Sequence, residues 1–340
     1  LSCTGESQVS FYSPWAFVFL ETTIVFFGVF WNSTSLFGFK VNDKLQVFLD
    51  LQNRFVNYTT TGLTSERVPI DIDANFSFFN PKLGLTYDLN PNNSLYVSYA
   101  RANKEPNRND FESNATDVTH EELNDFELGW RHQSERLRLS TNVYYMQYNN
   151  QLVLTGALDN VGEYLRENVD KSYRLGFELD AIVVLSDKFT LNSNFALSKN
   201  KVQDLIINRD GALQNLGDTN IAFSPNVITT NAIEYAPNSK FRATLIGKYV
   251  GEQYLSNTDT EASKLDSYFV TDLNFSYTIN FKSVFKSIVI RGMVNNLIDL
   301  EYVDRGYTYL DTWSGPTASE IQGYYPQATR NFILGMTMIF

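Results

Sequence analysis

Residues 82–100 read KLGLTYDLNPNNSLYVSYA. Leu83, Leu85, Tyr87 and Leu89 fall on alternate positions, with Lys82, Gly84, Thr86 and Asp88 between them. After Asn90-Pro91-Asn92-Asn93 the alternation resumes at Leu95, Val97 and Tyr99. Side chains of a strand point to opposite faces in turn, so a period of two marks strand rather than helix. Asn and Pro between the two runs supply ordinary turn chemistry. The stretch therefore reads as a β-hairpin with one apolar face and one polar face.

The same texture spreads in both directions. Leu45, Val47, Leu49 and Leu51 share a face upstream. Downstream, Phe126, Leu128 and Trp130 alternate with Glu127, Gly129 and Arg131. Leu175, Phe177 and Leu179 alternate with Arg174, Gly176, Glu178 and Asp180, and Leu273, Phe275 and Tyr277 with Asp272, Asn274 and Ser276. The chain ends on NFILGMTMIF, where Phe332, Leu334, Met336 and Met338 share a side. Short turns at 90–93, 133–136, 186–188, 237–240 and 280–285 alternate with long polar stretches at 59–79, 101–122, 150–170, 199–224, 251–266 and 298–328. That short–long rhythm, with strands of about ten residues, is the pattern of a transmembrane β-barrel. A soluble β-sandwich also alternates, but its loops need not alternate in length. Here the polar face carries charge on strand after strand, while the apolar face ends in Tyr, Trp or Phe. The expected fold is an all-β, antiparallel transmembrane barrel with about twelve strands from residue 41 onward. In a closed barrel the last strand pairs with the first, which would leave the terminal strand no free edge.

Composition excludes several classes. A net charge of −11 argues against a nucleic-acid partner, which needs a basic footprint. Aromatic residues make up 15% of the chain, rich for a soluble domain. Mean hydropathy is −0.24, too polar for a bundle of membrane helices. One cysteine, Cys3, excludes a disulfide framework, and two histidines make a His-based metal site a poor expectation. No cofactor, metal site or catalytic residue is expected. His132 lies near Ser134 and Glu135, but in a tight turn that does not support a triad. Residues 1–40 stand apart. Their run FYSPWAFVFLETTIVFFGVFW (11–31) is long enough to span a bilayer but has neither a basic flank before it nor strand alternation. They are expected to be an atypical apolar segment foreign to the barrel, which is assigned to 41–340.

Five segments, in order, resemble TonB-dependent receptors. They are NPKLGLTYDLNPNNSLYVSYARANKEPNRNDF (80–111), with Glu105-Pro106-Asn107 at the start of a loop, NDFELGWRH (124–132), NVDKSYRLGFELDA (168–181), VNNLIDLEY (294–302) and YYPQATRNFILGMTMIF (324–340). Gly129 and the pair Gly176 and Glu178 match family positions. The resemblance covers roughly 41–340 and implies a barrel of 22 strands in the outer membrane, occluded by a plug. It further implies active uptake of a scarce nutrient, such as a ferric siderophore, heme or cobalamin, powered by the TonB complex. Against that pattern the sequence shows no plug and no TonB box. The chain is therefore expected to be the C-terminal part of such a barrel, unable to transport alone.

Ligand contacts are expected in the long stretches. Arg101, Lys104 and Arg108 can attract an anionic chelate, and Tyr307, Tyr309 and Trp313 can grip an apolar chelate or macrocycle. Tyr302, Tyr324 and Tyr325 are equally readable as a girdle at the membrane rim. Phe340 is expected to be an assembly signal, since the resemblance implies that the barrel-assembly machinery reads a terminal aromatic. Outer-membrane lipid is the remaining partner. Two other functions stay open: a passive outer-membrane channel, and an outer-membrane hydrolase, which the scarcity of histidine disfavours.

Overall fold

The computed structural model describes residues 8–11, 15–21, 24–63, 67, 69–114, 118–158, 164–209, 212–281, 286–311 and 319–340. One antiparallel sheet of 16 strands dominates. Its long strands follow one another in chain order, so each pairs with its sequence neighbours. They are Ile24–Lys40, Leu45–Leu63, Pro69–Asn90, Asn93–Lys104, Glu121–Gln133, Leu137–Leu158, Tyr164–Ser186, Phe189–Val202, Val227–Asn238, Phe241–Val250, Tyr268–Asn280, Ser287–Asn295 and Asn331–Ile339.

Register explains why the sequence pattern works. Leu85 lies opposite Val47 on one side and Val97 on the other. Val97 faces Leu128, Leu128 faces Val143, and Val143 faces Phe177. Further on, Phe177 meets Leu197, and Leu245 meets Leu273, which meets Val294, which meets Phe332. A slip of one residue anywhere would turn a whole strand inside out. The register shifts in this sheet fall near strand ends, at Asp88/Asn90, Leu154/Leu158, Phe189/Thr190 and Tyr235/Asn238, and none falls among these pairs, so the alternate apolar residues join into one outward surface. Leu128 is 57% exposed and Phe126 48%, as a lipid-facing band requires. The other face runs Gly84, Ser98, Glu127, Tyr144, Gly176, Ser198, a wet lumen wall.

Two glycines on that lumen wall have a packing reason. Gly129 lies opposite Tyr96, and a Cβ at Gly129 would fall inside the Tyr96 ring. Gly176 lies opposite Tyr144 in the same way. Each tyrosine lies flat across its neighbouring strand in space that only glycine leaves open. The Arg131 guanidinium caps Tyr96 from above, 4.4 Å from the ring centre.

Two features differ from the sequence reading, and a third concerns the last strand. Most of the supposed long loops are strand. Leu45–Leu63 and Pro69–Asn90 run together to the pair Leu63–Pro69, and Leu137–Leu158 and Tyr164–Ser186 pair as far as Leu158–Tyr164. The wall therefore rises well beyond the height of the apolar band. Residues 24–40, set apart by the sequence reading, form a strand paired from Ile24–Gly62 to Lys40–Gln46. Finally, Asn331–Ile339 pairs with Ser287–Asn295, and among the described residues nothing pairs with its other edge. Among the described residues the last strand does not close on the first, in line with the expected part of a larger barrel, and Phe332 stands 82% exposed.

Candidate functional site

Above the apolar band, the inward face of the first tall hairpin carries a compact core. Val56, Tyr58, Ile70, Ile72, Ala74 and Phe78 are buried there, and Phe111 comes down onto them from the segment after Lys104. Phe111 sits edge-on to Tyr58, with ring centres 5.2 Å apart. That segment contains a short helix, Arg108–Asn114. Asn107 accepts the Asp110 N–H at 3.1 Å while Asp110 accepts the Asn107 N–H at 2.8 Å, a reciprocal cap that satisfies two otherwise orphaned donors.

Glu105-Pro106-Asn107 is thus a clasp. The Glu105 carboxylate pairs with Arg54, whose guanidinium also lies 5.3 Å from the Phe78 ring centre. Pro106 is fully buried, and its carbonyl accepts from the Tyr58 hydroxyl at 3.5 Å. Burial, helped by the nearby Asp110 carboxylate, pushes the Tyr58 phenol far above its usual range, so it keeps the proton it donates to Pro106. At the far end, Asp110 meets Arg166 at 3.5 Å, and Asn168 both donates to Thr119 (3.0 Å) and accepts from it (2.8 Å). His120 rests on Phe78, with ring centres 5.3 Å apart. The described parts of this segment, 105–114 and 118–120, form a strap that ties the first tall hairpin to strand Tyr164–Ser186.

The sequence-selected residues divide between two places. Arg101 is not in a loop. It ends the outward series Leu95, Val97, Tyr99 on strand Asn93–Lys104, and it pairs with Glu122. The Asn124 amide, which donates to Glu122 at 3.0 Å, accepts from the Tyr99 hydroxyl at 2.8 Å. Lys104 closes the same strand and pairs with Glu121 at 3.2 Å. Arg108 opens the helix of the strap. Tyr307 belongs to a separate hairpin, Val303–Asp311 with Ser319–Pro326, and its ring covers Gly323 and lies 5.9 Å from that of Tyr325. Tyr309 is on the same hairpin, opposite Ile321. Trp313 lies outside the described residues. Tyr302 packs on Tyr268 with ring centres 4.6 Å apart and planes tilted by 31°, and Tyr324 and Tyr325 are exposed. Phe340 follows the last strand and is 69% exposed.

The sequence reading missed the residue that organises this hairpin. Asn296 is 3% exposed, with a left-handed φ of 51°. Its N–H donates to Asp272 at 2.8 Å, its amide donates to the Leu300 carbonyl at 2.7 Å, and its side-chain oxygen accepts from Leu300 N at 2.9 Å. The paired asparagines of VNNLIDLEY were the available signal, since asparagine tolerates left-handed backbone and bonds to neighbouring peptide groups. A second buried group, Val153, Val169, Val202, Leu205 and Ile221, braces the next tall hairpin. Asn257 ties a further loop to it, donating to the Leu154 carbonyl at 2.8 Å. The rim is therefore braced, with many of its polar side chains paired with one another.

The family described as "TonB dependent receptor-like, beta-barrel" matches residues 13–297. The chain belongs to that family. It is an outer-membrane β-barrel protein of a transporter family, not an enzyme. It is 20% identical over 288 residues to the catecholate siderophore receptor Fiu of Escherichia coli (strain K12), covering 80% of this chain and 34% of that protein. Among solved structures, the siderophore receptor PiuA from Acinetobacter baumannii superposes with a TM-score of 0.72 at 19% identity, over 92% of this chain and 43% of the other. The ferripyoverdine receptor of the outer membrane of Pseudomonas aeruginosa gives 0.61 at 18% identity, over 92% and 39%. These likenesses show the fold. The chain spans about a third of the length of the curated relatives it matches.

Proposed function

We propose that this chain is part of the barrel wall of an outer-membrane receptor that takes up a ferric siderophore, with energy supplied by the TonB complex. The observation that carries the reading is the 288-residue match to a catecholate siderophore receptor within the barrel portion. The braced rim supports it. A strap and two braced hairpins above the apolar band hold a mouth open at a fixed shape, which suits capture of a bulky chelate. Tyr307 and Tyr309 are the ring-bearing candidates for that chelate. Arg101 is a poorer one, because its outward position and its pairing with Glu122 direct it away from the lumen. Phe340 is the residue for the assembly machinery to read.

The sheet also bears on whether these strands transport alone. Two edges stand unpaired among the described residues, one along Asn331–Ile339 and one along the short strands Gln8–Phe11 and Trp15–Glu21 that pair with Ile24–Lys40, and unpaired backbone in lipid costs several kcal/mol per group. We expect transport to need more wall than these strands provide. Complementation tests both points: the chain, and separately a full-length relative carrying this wall, are expressed in a strain lacking its siderophore receptor. Energy-dependent accumulation of a ferric catecholate by the full-length protein alone is expected. Accumulation by the chain, abolished by a protonophore, would refute the need for more wall. Slow, energy-independent leakage from both would favour a passive channel.

A further inference from the structure

On two adjacent strands the middle of the outward face carries residues that lipid does not favour. The outward series of Phe189–Val202 begins Phe189, Leu191, Ser193, Phe195, Leu197. That of Val227–Asn238 runs Tyr235, Ile233, Asn231, Thr229, Val227. Ser193 and Asn231 are the middle members, and they lie directly opposite each other. The register extends their level to Ala181 on one side and to Gly247 and Thr271 on the other. The level below is Val183, Leu191, Ile233, Leu245 and Leu273. The level above holds Leu179, Phe195, Tyr249 and Phe269, with Thr229 among them. A row of small and polar side chains thus crosses five strands within the apolar band, between rows that are bulky and almost wholly apolar. The Phe269 ring leans over Gly247, whereas Asn231 is exposed.

The polar atoms of the row are ordered. Ser193 Oγ donates to Asn231 Oδ1 at 2.6 Å, Asn231 Nδ2 donates to Thr229 Oγ1 at 3.0 Å, and Thr229 Oγ1 donates to the Asn194 carbonyl at 2.8 Å. This chain of bonds fixes which way the amide is turned. A side-chain amide has two N–H donors and an oxygen with two lone pairs. One hydrogen and one lone pair of Asn231 are used, and among the described residues the other hydrogen and the other lone pair have no partner. Hydrocarbon supplies none, and an unmet polar group there is costly. A suitable partner has to lie at the same depth and both accept and donate. A two-fold axis along the membrane normal brings every residue of one copy to the same depth on the other. Asn231 of a second copy meets both demands, because paired amides exchange N–H···O bonds in both directions. Small neighbours such as Ala181 and Ser193 let the two walls approach closely.

We propose that the outward face around Asn231 is an interface between two copies of this chain in the membrane, with the two Asn231 amides paired at its centre. The proposal rests on the outer-membrane barrel and not on the identity of the cargo.

The test uses the full chain with Cys3→Ser, reconstituted in phosphatidylcholine vesicles, with a single new cysteine as reporter for a short bifunctional thiol reagent. Ile233→Cys stands on the outward face next to Asn231, Leu128→Cys on the same face four strands away, and Met336→Cys on the unpaired last strand. Ile233→Cys should give cross-linked dimer and Leu128→Cys little. Adding Asn231→Leu should lower the Ile233→Cys dimer by about three- to twentyfold, the worth of a polar contact between membrane segments, and adding Asn231→Gln should keep most of it. Association through the open edge is read separately at Met336→Cys and should not respond to Asn231→Leu. Equal yields from Ile233→Cys and Leu128→Cys, no response of Ile233→Cys to Asn231→Leu, or an equal fall at Met336→Cys overturns the proposal. Leucine suits lipid, so the Asn231→Leu variant should fold at least as well as wild type. If heat-modifiability shows that it does not, Asn231→Ala decides by the same comparisons.

Discussion

The apolar band and the rim above it are built from the same strands but held by opposite means. In the band, stability lies between the protein and its solvent. Side chains such as Leu128 and Phe126 touch lipid, cross-strand register alone keeps them outward, and few polar side chains are spent. In the rim, stability lies within the protein. Tyr58, Phe78 and Phe111 close a small core, and Arg54–Glu105, Asp110–Arg166 and Asn168–Thr119 stitch the strap over it. A substitution in the band should therefore act through facing, and one in the rim through a named contact.

The largest expected effect lies in the band. Leu273→Arg puts a charge on the outward face beside Leu245 and Val294 and should cost about 2–4 kcal/mol, whereas Asn274→Arg, one residue on and facing the lumen, should cost far less. Refolding into lipid vesicles measures both, and equal costs would reverse the assignment of faces. Next comes the lumen wall. Gly129→Ala forces Tyr96 off its seat and should cost about 1–3 kcal/mol. Pairing it with Tyr96→Ala should recover part of that loss, and strict additivity in the double-mutant cycle would mean that ring and glycine do not share the space. In the rim, Asn296→Ala strips a buried amide from Leu300 and should cost about 1–2 kcal/mol, read as faster proteolysis within 296–330 at unchanged band stability. The smallest effect is predicted for Arg101→Ala. It should shift the affinity for a ferric catecholate by less than about twofold, because the residue faces outward against Glu122. A tenfold loss by equilibrium titration would place Arg101 in the ligand site after all.

This contrast also explains what the sequence disclosed. The band was legible because lipid on one side and water on the other impose a period of two that any reader can count. Residues 24–40 escaped because IVFFGVFW is apolar at nearly every position, which erases the period even where a strand forms. Asp110 and Arg166 were not singled out in the sequence, because their partnership spans two distant segments. The helix at Arg108 did announce itself, through Asn107 and Asp110 at capping-box spacing, but seven residues of helix within a polar stretch are easily passed over. Arg101 was put in a loop because the strand runs four residues past Ala100: extending the series Leu95, Val97, Tyr99 one step further assigns its face. Asn296 shows the limit, since the doublet is visible but the carbonyls it serves are not.

The hairpin at 303–326 has a consequence for how the last strand finds its place. Ser287–Asn295 and Asn331–Ile339 pair across the whole connection 296–330. Within it, Val303 pairs with Pro326, Gln327 N–H donates to the Tyr302 carbonyl at 3.0 Å, and Arg330 N–H donates to Asp299 at 2.8 Å. Once this stem has formed, only the short arms on either side remain to be ordered. Shortening the open connection from some three dozen residues to about a dozen lowers the entropy of bringing the two strands together by about 1 kcal/mol. The stem acts as a tether that raises the local concentration of the final strand beside its neighbour. Lengthening its tip should then leave assembly speed nearly unchanged, whereas cutting the Tyr302–Gln327 closure should slow it.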